Sequence, residues 1–127
     1  MSEKRLPEGF PSSVRIKSKK DFARIFEQGV YASDQSITLY GLINNRAEAR
    51  LGISVSRRIG NAVKRNLVKR RIREAFRIIQ HELPKGIDWV VLPHKGLEVR
   101  VGELCDSFRR LASQLEGKMA KLGGKQG

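Results

Sequence analysis

Hydrophobic residues recur at helical spacing in three parts of the chain, and each part predicts one helix. The first helix begins at Ser18, a preferred N-cap residue, and stops at Gly29. The second begins after Asn61 and ends near Leu83, before a proline. The third begins near residue 101. Their apolar stripes are, in order, Phe22, Ile25 and Phe26; Val68, Ile72, Ala75, Phe76 and Ile79; and Val101, Leu104, Cys105, Phe108, Leu111, Ala112 and Leu115.

Two further segments alternate between apolar and polar residues, which is typical of half-buried strands. They span residues 36–43 and 50–56 and are joined by a polar turn, so we expect an antiparallel hairpin. Its inward face comprises Ile37, Leu39, Gly41, Ile43, Leu51, Ile53 and Val55. Its outward face is polar but uncharged and predicts a groove lined by Thr38, Tyr40, Ser54 and Ser56.

The apolar run at residues 88–92 predicts a strand buried on both faces. Because a helix leads to it, we expect it to pair in parallel with the hairpin. The order of elements indicates one α/β domain, an α+β two-layer sandwich, at residues 18–116. Residues 1–17 lack periodicity and predict a flexible basic arm, and residues 117–127 predict a basic disordered tail.

The chain of 127 residues carries 26 Lys and Arg against 13 Asp and Glu, a net charge of +13. Such an excess favours nucleic acid as the partner. The longest uninterrupted apolar run, residues 89–92, is far too short to span a membrane. The N-terminus lacks an apolar signal core, so we expect a cytoplasmic protein. With one cysteine and two histidines, we expect no transition metal held by the protein.

Positive charge is concentrated at the start of the second helix. Residues 57–73 contain no acidic residue but eight cations: Arg57, Arg58, Lys64, Arg65, Lys69, Arg70, Arg71 and Arg73. Lys64 and Arg65 lie in or near the first turn, where the helix dipole disfavours an exposed cation by roughly 0.3–1 kcal/mol. This placement indicates a bound polyanion rather than a merely solvated face. A solvent-facing row is predicted at Asn66, Arg70, Arg73 and Arg77, and Glu74 is placed to pair with Arg70 or Arg71.

Arginine predominates in this helix, which favours bidentate contacts to phosphates or base edges. A helix reading the major groove of DNA would be the obvious competitor. The sequence has no helix-turn-helix pair, zipper or zinc finger that would present such a helix, so we expect folded RNA as the partner.

Residues 52–76, from Gly52 to Phe76, closely resemble the signature of the bacterial ribonuclease P protein subunit. The similarity extends over most of the chain and includes the first helix, the hairpin, the buried strand and the last helix. Leu67 stands where the family often has the second arginine of an Arg-Asn-Arg run. The resemblance implies an αβββαβα order, a mixed sheet and a left-handed βαβ crossover, the reverse of the usual hand.

The resemblance also implies a function, which is to join ribonuclease P RNA in removing the 5′ leader of precursor tRNA. The RNA with its bound Mg²⁺ would perform the chemistry, so we expect no catalytic or metal-binding residue, no organic cofactor and no obligate protein partner. The candidates for contact with the catalytic RNA are Arg57, Arg58, Lys64, Arg65, Asn66, Lys69, Arg70 and Arg73. The candidates for contact with the single-stranded leader are Phe22, Phe26, Thr38, Tyr40, Ser54 and Ser56.

Two other functions fit parts of the sequence. A ribosomal protein of similar fold would share the size and charge but would need no leader cleft. A nuclease acting without RNA would require general acid–base groups, for which His81 and His94 with Glu82 or Asp88 are the candidates. Within the proposed cleft, Phe22 and Phe26 fit either a core or a base-stacking role. Cys105 lies on an apolar stripe and is expected to be a core thiol.

Overall fold

The computed structural model describes residues 14–94 and 100–126. The helices are α1 (Lys19–Gln28), α2 (Ala62–Ile79) and α3 (Val101–Gln126). The strands are β1 (Val30–Ser33), β2 (Ile37–Ile43), β3 (Arg50–Ile53) and β4 (Ile87–Pro93). Short 3-10 turns follow β3 at Arg57–Ile59 and α2 at Gln80–Glu82. The αβββαβα order and the α/β class are confirmed.

The four strands form one mixed sheet in the order β1-β2-β4-β3. Strand β4 pairs with β2 in antiparallel and with β3 in parallel orientation. The parallel pairing through α2 is therefore confirmed, but the predicted hairpin is wrong, because β4 lies between its two strands. Strand β4 is apolar on both faces and buries more surface in the centre than at an edge. The hand of the crossover stays a prediction.

The main core lies between one face of the sheet and helices α2 and α3. Trp89, Val91 and Leu39 from the sheet meet Phe76 of α2 and Phe108 of α3 there, and all five are fully buried. A smaller cluster covers part of the opposite face, where Ile25 of α1 packs with Ile16 and Val90. The helices thus leave part of that second face open.

Two residues assigned to the inward face of the hairpin lie elsewhere. Ile43 is 55% exposed, because it ends β2 beyond the pairing with β1, which stops at Gly41. Val55 lies past the end of β3 at Ile53 and is only half-buried. The predicted alternation is correct for the middle of β2, where Ile37, Leu39 and Gly41 are buried.

The predicted helix starts are confirmed by their capping bonds. The hydroxyl of Ser18 accepts from the backbone N–H groups of Lys20 and Asp21, at 3.1 and 3.3 Å. The side chain of Asn61 accepts from the N–H of Lys64 at 2.9 Å. Both bonds satisfy N–H groups that a helix start leaves without partners.

Both ends of the domain extend beyond the predicted boundaries. Residues 1–13 of the predicted arm lie outside the described residues, but Val14 and Ile16 are buried, and the N–H of Ile16 donates to the carbonyl of Leu51 at 2.9 Å. At the other end, the stretch predicted as a tail is helical to Gln126. Met119 packs partly buried against the core, which favours continuation of α3 past Gly117.

Candidate nucleic-acid interface

A buried ion pair between two strands of the sheet also contacts charged residues of α1. The carboxylate of Asp88 on β4 is fully buried and accepts from Nε and Nη2 of Arg50 on β3, at 2.8 and 2.7 Å. Asn44 donates to the same carboxylate at 2.7 Å, and Arg24 and Asp21 of α1 complete the network. Burial alone would raise the pKa of Asp88, but the hydrogen bonds from Arg50 and Asn44 hold it below its usual value. The position of α1 over the sheet is therefore set by charges of both elements.

Phenylalanine rings of α1 lie on the open face of the sheet. Phe22 packs on Gly52, where a Cβ would lie 2.9 Å from the Cζ atom of the ring. Phe26 is 38% exposed and meets Tyr40 of β2 edge to face, with ring centroids 5.0 Å apart. Phe22 is half-buried, and Ile25 is the fully buried residue of α1. The helix thus contributes one ring packed on the sheet and one at the border of an open cleft.

The polar residues predicted for the cleft have different surroundings. The hydroxyl of Thr38 shares hydrogen bonds with Nε2 of His94 at 2.8 Å and with the hydroxyl of Ser33 at 2.7 Å. Ser54 follows β3 and extends its ladder by donating its N–H to Val91 at 2.9 Å. Ser56 is exposed, and its hydroxyl caps the following 3-10 turn by accepting from the N–H of Arg58 at 3.2 Å.

Of the six predicted leader contacts, the fold therefore gathers Phe22, Phe26, Thr38 and Tyr40 on one side of the sheet. Ser54 lies next to this area at the end of β3. The hydroxyl of Ser56 already has a local structural partner. Their contacts with RNA stay predictions.

Tyr31 is a residue of this surface that the sequence did not single out. It lies directly opposite Tyr40 in the β1–β2 ladder, and the two rings stack with centroids 5.2 Å apart. Strand β1 has only four residues, too few for a clear alternating pattern. The sequence signal for Tyr31 was its position as an aromatic residue two places after Gly29, the glycine that ends α1.

The cations of α2 surround its buried stripe at several angles. Lys64, Asn66 and Arg70 are exposed, as are Arg57 and Arg58 on the preceding 3-10 turn. Arg65 is half-buried and donates to the carbonyl of Gly60 at 2.8 Å, so it also holds the turn before the helix. Glu74 pairs with Arg77, at 2.6 Å, rather than with Arg70 or Arg71 as expected.

Lys69 and Arg73 turn towards the edge of the sheet, so the prediction of Arg73 in a solvent-facing row is wrong. With Arg15 and Lys17 they line a cavity of about 140 Å³, whose floor is Ile16, Leu51 and Ile53. Burial lowers the pKa of Arg73, and the neighbouring charge of Arg15 lowers it further. Four cations around so small a cavity repel one another, so the site favours an anion such as a phosphate. Arg15 and Lys17 were assigned to the arm, because only the tertiary fold brings them to α2.

The candidate groups for a protein nuclease are not assembled into a site. His94 follows the end of β4 and bonds to Thr38, whereas Asp88 lies near the start of that strand, on the order of 20 Å away at strand spacing. His81 lies 3.9 Å from Glu82 on the exposed turn after α2. Among the described residues, no three His, Cys, Asp or Glu side chains cluster as metal ligands would.

No described helix is both long enough and apolar enough to cross a membrane. Cys105 is buried, as expected, and its thiol lies 3.7 Å from the carbonyl of Ala75. Burial raises the pKa of this thiol.

Comparison with known proteins identifies the family of this arrangement. A family model described as Ribonuclease P matches residues 10–116. The ribonuclease P protein component of Streptococcus pneumoniae is 40% identical over 86 residues, which is 68% of this chain and 70% of that protein. The RNase P protein of Staphylococcus aureus matches with a TM-score of 0.69 at 32% identity, covering 79% of this chain and 93% of that one. The Thermotoga maritima RNase P protein gives a TM-score of 0.61 at 33% identity, covering 85% and 93%.

Proposed function

Because this chain belongs to the bacterial ribonuclease P protein family, we propose that it binds the catalytic RNA with α2 and the unpaired 5′ leader of precursor tRNA with the open face of its sheet. As a member of this family, the chain has ribonuclease P RNA as its partner and is one component of a ribonuclease. The observation that carries the finer assignment is the pairing of two surfaces on one domain. One is a helix rich in exposed cations, and the other is a cleft lined by aromatic rings.

The α2 surface suits a structured RNA because its charges stand on a helix anchored by a buried stripe. Val68, Ile72 and Phe76 are fully buried, which keeps the exposed cations at fixed spacing. Lys64, Lys69 and Arg70 have no acidic partner among the described residues, so their charge is available to phosphates. The cavity at Lys69 and Arg73 supplies a recessed position for one phosphate of this RNA.

The cleft suits a single strand because unpaired bases stack on aromatic rings without requiring a particular sequence. Phe26 and Tyr40 present partly exposed rings to this space, and Phe22 borders them. Mature tRNA has lost the leader. The protein would therefore raise the affinity for precursor over mature tRNA and leave the rest of the tRNA to the RNA subunit.

Cleavage itself is assigned to the RNA subunit, and Mg²⁺ held mainly by that RNA would activate the attacking water and stabilise the leaving oxygen. The separation of His81, His94 and Asp88 supports this division, because these groups form no acid–base pair. The protein would bind, orient and discriminate. A role in tRNA maturation predicts a cytoplasmic location.

The experiment that tests this assignment compares the affinity of the assembled holoenzyme for precursor and mature tRNA. Tyr40→Ala should weaken precursor binding about five-fold or more, since stacking on one base contributes roughly 1–3 kcal/mol. Mature tRNA binding should be unchanged. Ile43→Ala is the matched control, because it shortens an exposed apolar residue of the same strand on the opposite face. Equal precursor affinity for Tyr40→Ala and the wild type would contradict the cleft and favour a purely architectural RNA-binding role.

A further inference from the structure

Four aromatic rings form an unbroken series from α1 to the free edge of the sheet. Successive ring centroids lie 6.2 Å apart for Phe22 and Phe26, 5.0 Å for Phe26 and Tyr40, and 5.2 Å for Tyr40 and Tyr31. The first three belong to the cleft described above. Tyr31 lies beyond it, on edge strand β1, with 56% of its surface exposed. The stacking surface therefore continues past the cleft.

A lysine of α3 reaches the same edge from the other side of the sheet. Nζ of Lys118 donates to the backbone carbonyl of Tyr31 at 2.7 Å and lies 5.8 Å from the centre of its ring. An ammonium group carries three N–H donors, so two remain for another acceptor. Gly29, Ser33 and Gln114 line the shallow groove around this pair. An aromatic face beside a fixed cation is the combination that binds a base together with its phosphate.

The strand order indicates which part of the leader would reach Tyr31. Strand β1 and strand β3 are the opposite edges of the sheet, roughly 14 Å apart at three strand spacings. The cationic cavity and the turn at Arg57 and Arg58 lie at the β3 edge. A strand that leaves the catalytic RNA and crosses the sheet thus meets Tyr31 after Tyr40. The nucleotide at Tyr31 is therefore farther from the cleavage site.

We propose that Tyr31 and Lys118 extend the leader site by one unpaired nucleotide, with its base stacked on the tyrosine ring and its phosphate at the lysine. This inference rests on the proposed function and makes it more specific. Leaders too short to reach β1 would lose this contact.

The test is a series of precursor tRNAs whose leaders lengthen by one nucleotide at a time, with dissociation constants measured for the assembled holoenzyme. Affinity should rise with length up to a plateau, and Tyr31→Ala should reach its plateau at a shorter leader than the wild type. For long leaders Tyr31→Ala should bind about five-fold or more weakly. Short leaders should bind both proteins equally. Tyr31→Phe keeps the ring and should match the wild type throughout.

This length dependence separates direct contact from indirect damage to Tyr40. A disturbed Tyr40 would weaken binding at short leaders as well, and that result would overturn the proposal. Thermal unfolding of each variant measures any loss of the Tyr31–Tyr40 cross-strand pair. Lys118→Gln should lower the slope of log affinity against log salt by about 0.7 for long leaders only. Lys85→Gln, at an exposed lysine just before β4, is the control and should leave that slope unchanged.

Tyr31→Ala and Tyr40→Ala together separate the contact at Tyr31 from the cleft itself. If Tyr40→Ala weakens precursor binding while Tyr31→Ala equals the wild type at every leader length, the extension is wrong and the cleft stands. If neither substitution alters precursor binding, both assignments are overturned.

Discussion

Phe22 of α1 rests on Gly52 of β3 with no space for a side chain between them. A Cβ at position 52 would lie 2.9 Å from Cζ and 3.0 Å from Cε1 of the ring, and 3.1 Å from the Cβ of Ile16. Glycine at this position lets the helix approach the sheet closely. This contact therefore helps to set the distance between α1 and the sheet, together with the ion pairs of Arg24 and Asp21.

Gly52→Ala should push Phe22 and α1 away from the sheet. The overpacking should lower the free energy of unfolding by about 1–3 kcal/mol and weaken precursor tRNA binding, while affinity for the catalytic RNA stays near that of the wild type. Denaturant unfolding and holoenzyme binding measure these effects. Gly102→Ala is the control, because a Cβ there meets nothing within 4 Å. Unchanged stability and leader affinity in Gly52→Ala would contradict the role of this contact.

The ionised carboxylate of Asp34 stabilises the fold, so the protein should become less stable in acid. Burial alone would raise its pKa, but hydrogen bonds from Ser107, from the N–H groups of Ile37 and Ser36 and from Arg110 lower it from 3.8 to about 2. A carboxylate whose pKa is depressed by folding stabilises the native state above its unfolded pKa. That contribution, roughly 2 kcal/mol, is lost as the pH falls from about 4 to about 2.

Asp34→Asn should therefore be less stable than the wild type at pH 7, and the difference should shrink as the pH falls below 4. Urea unfolding of both proteins across this range gives the two curves. The same stability difference at pH 7 and at the acid end would show that the charge of Asp34 contributes nothing.

Gly60 connects the 3-10 turn that carries Arg57 and Arg58 to α2, and its φ of +148° is a conformation that other residues rarely adopt. Gly60→Ala should cost about 1–3 kcal/mol of stability. It should also weaken catalytic-RNA binding, because the turn shifts relative to the helix. Gly86→Ala is the matched control, since Gly86 also has a positive φ, of +78°, but precedes β4 at the other end of the sheet. An equal loss of RNA affinity in both variants would contradict the positioning role of Gly60.

Arg70 and Arg77 lie on the same helix but differ in their partners. Arg77 is held by Glu74 through two hydrogen bonds of 3.1 and 2.6 Å, whereas Arg70 is exposed and has no acidic partner among the described residues. Arg70→Ala should weaken binding to the catalytic RNA and lower its salt dependence by about one phosphate contact. Arg77→Ala should have a smaller effect, because Glu74 already neutralises that charge. Equal salt slopes for Arg70→Ala and the wild type would remove Arg70 from the interface.

The local features of this fold were predictable from the sequence. The three apolar stripes and the caps at Ser18 and Asn61 involve residues within a few positions of each other, so the helix starts follow from spacing alone. The positive charge of α2 was predictable because its cations are also close together in the sequence. Strand pairing was not, because the apolar alternation of β2 and β3 is compatible with direct pairing, and only the whole chain shows that β4 takes the place between them.

Some residues of the candidate site were likewise predictable from local periodicity, and others were not. Tyr40 and Phe26 followed from strand and helix periodicity, and the structure places their rings in contact. Arg15 and Tyr31 were missed because their significance depends on partners distant in sequence, Arg73 and Lys118 respectively. Each lies in a short extended segment at an edge of the sheet, where periodicity carries little information.

The proposed function is tested most directly by cleavage of a precursor tRNA at low Mg²⁺ by a bacterial ribonuclease P RNA, with and without this protein. We expect accurate removal of the 5′ leader only when RNA and protein are both present, and no cleavage by the protein alone. Intact binding to the RNA without any stimulation of cleavage would contradict the proposed function. Cleavage by the protein without RNA would show that its own side chains perform the chemistry.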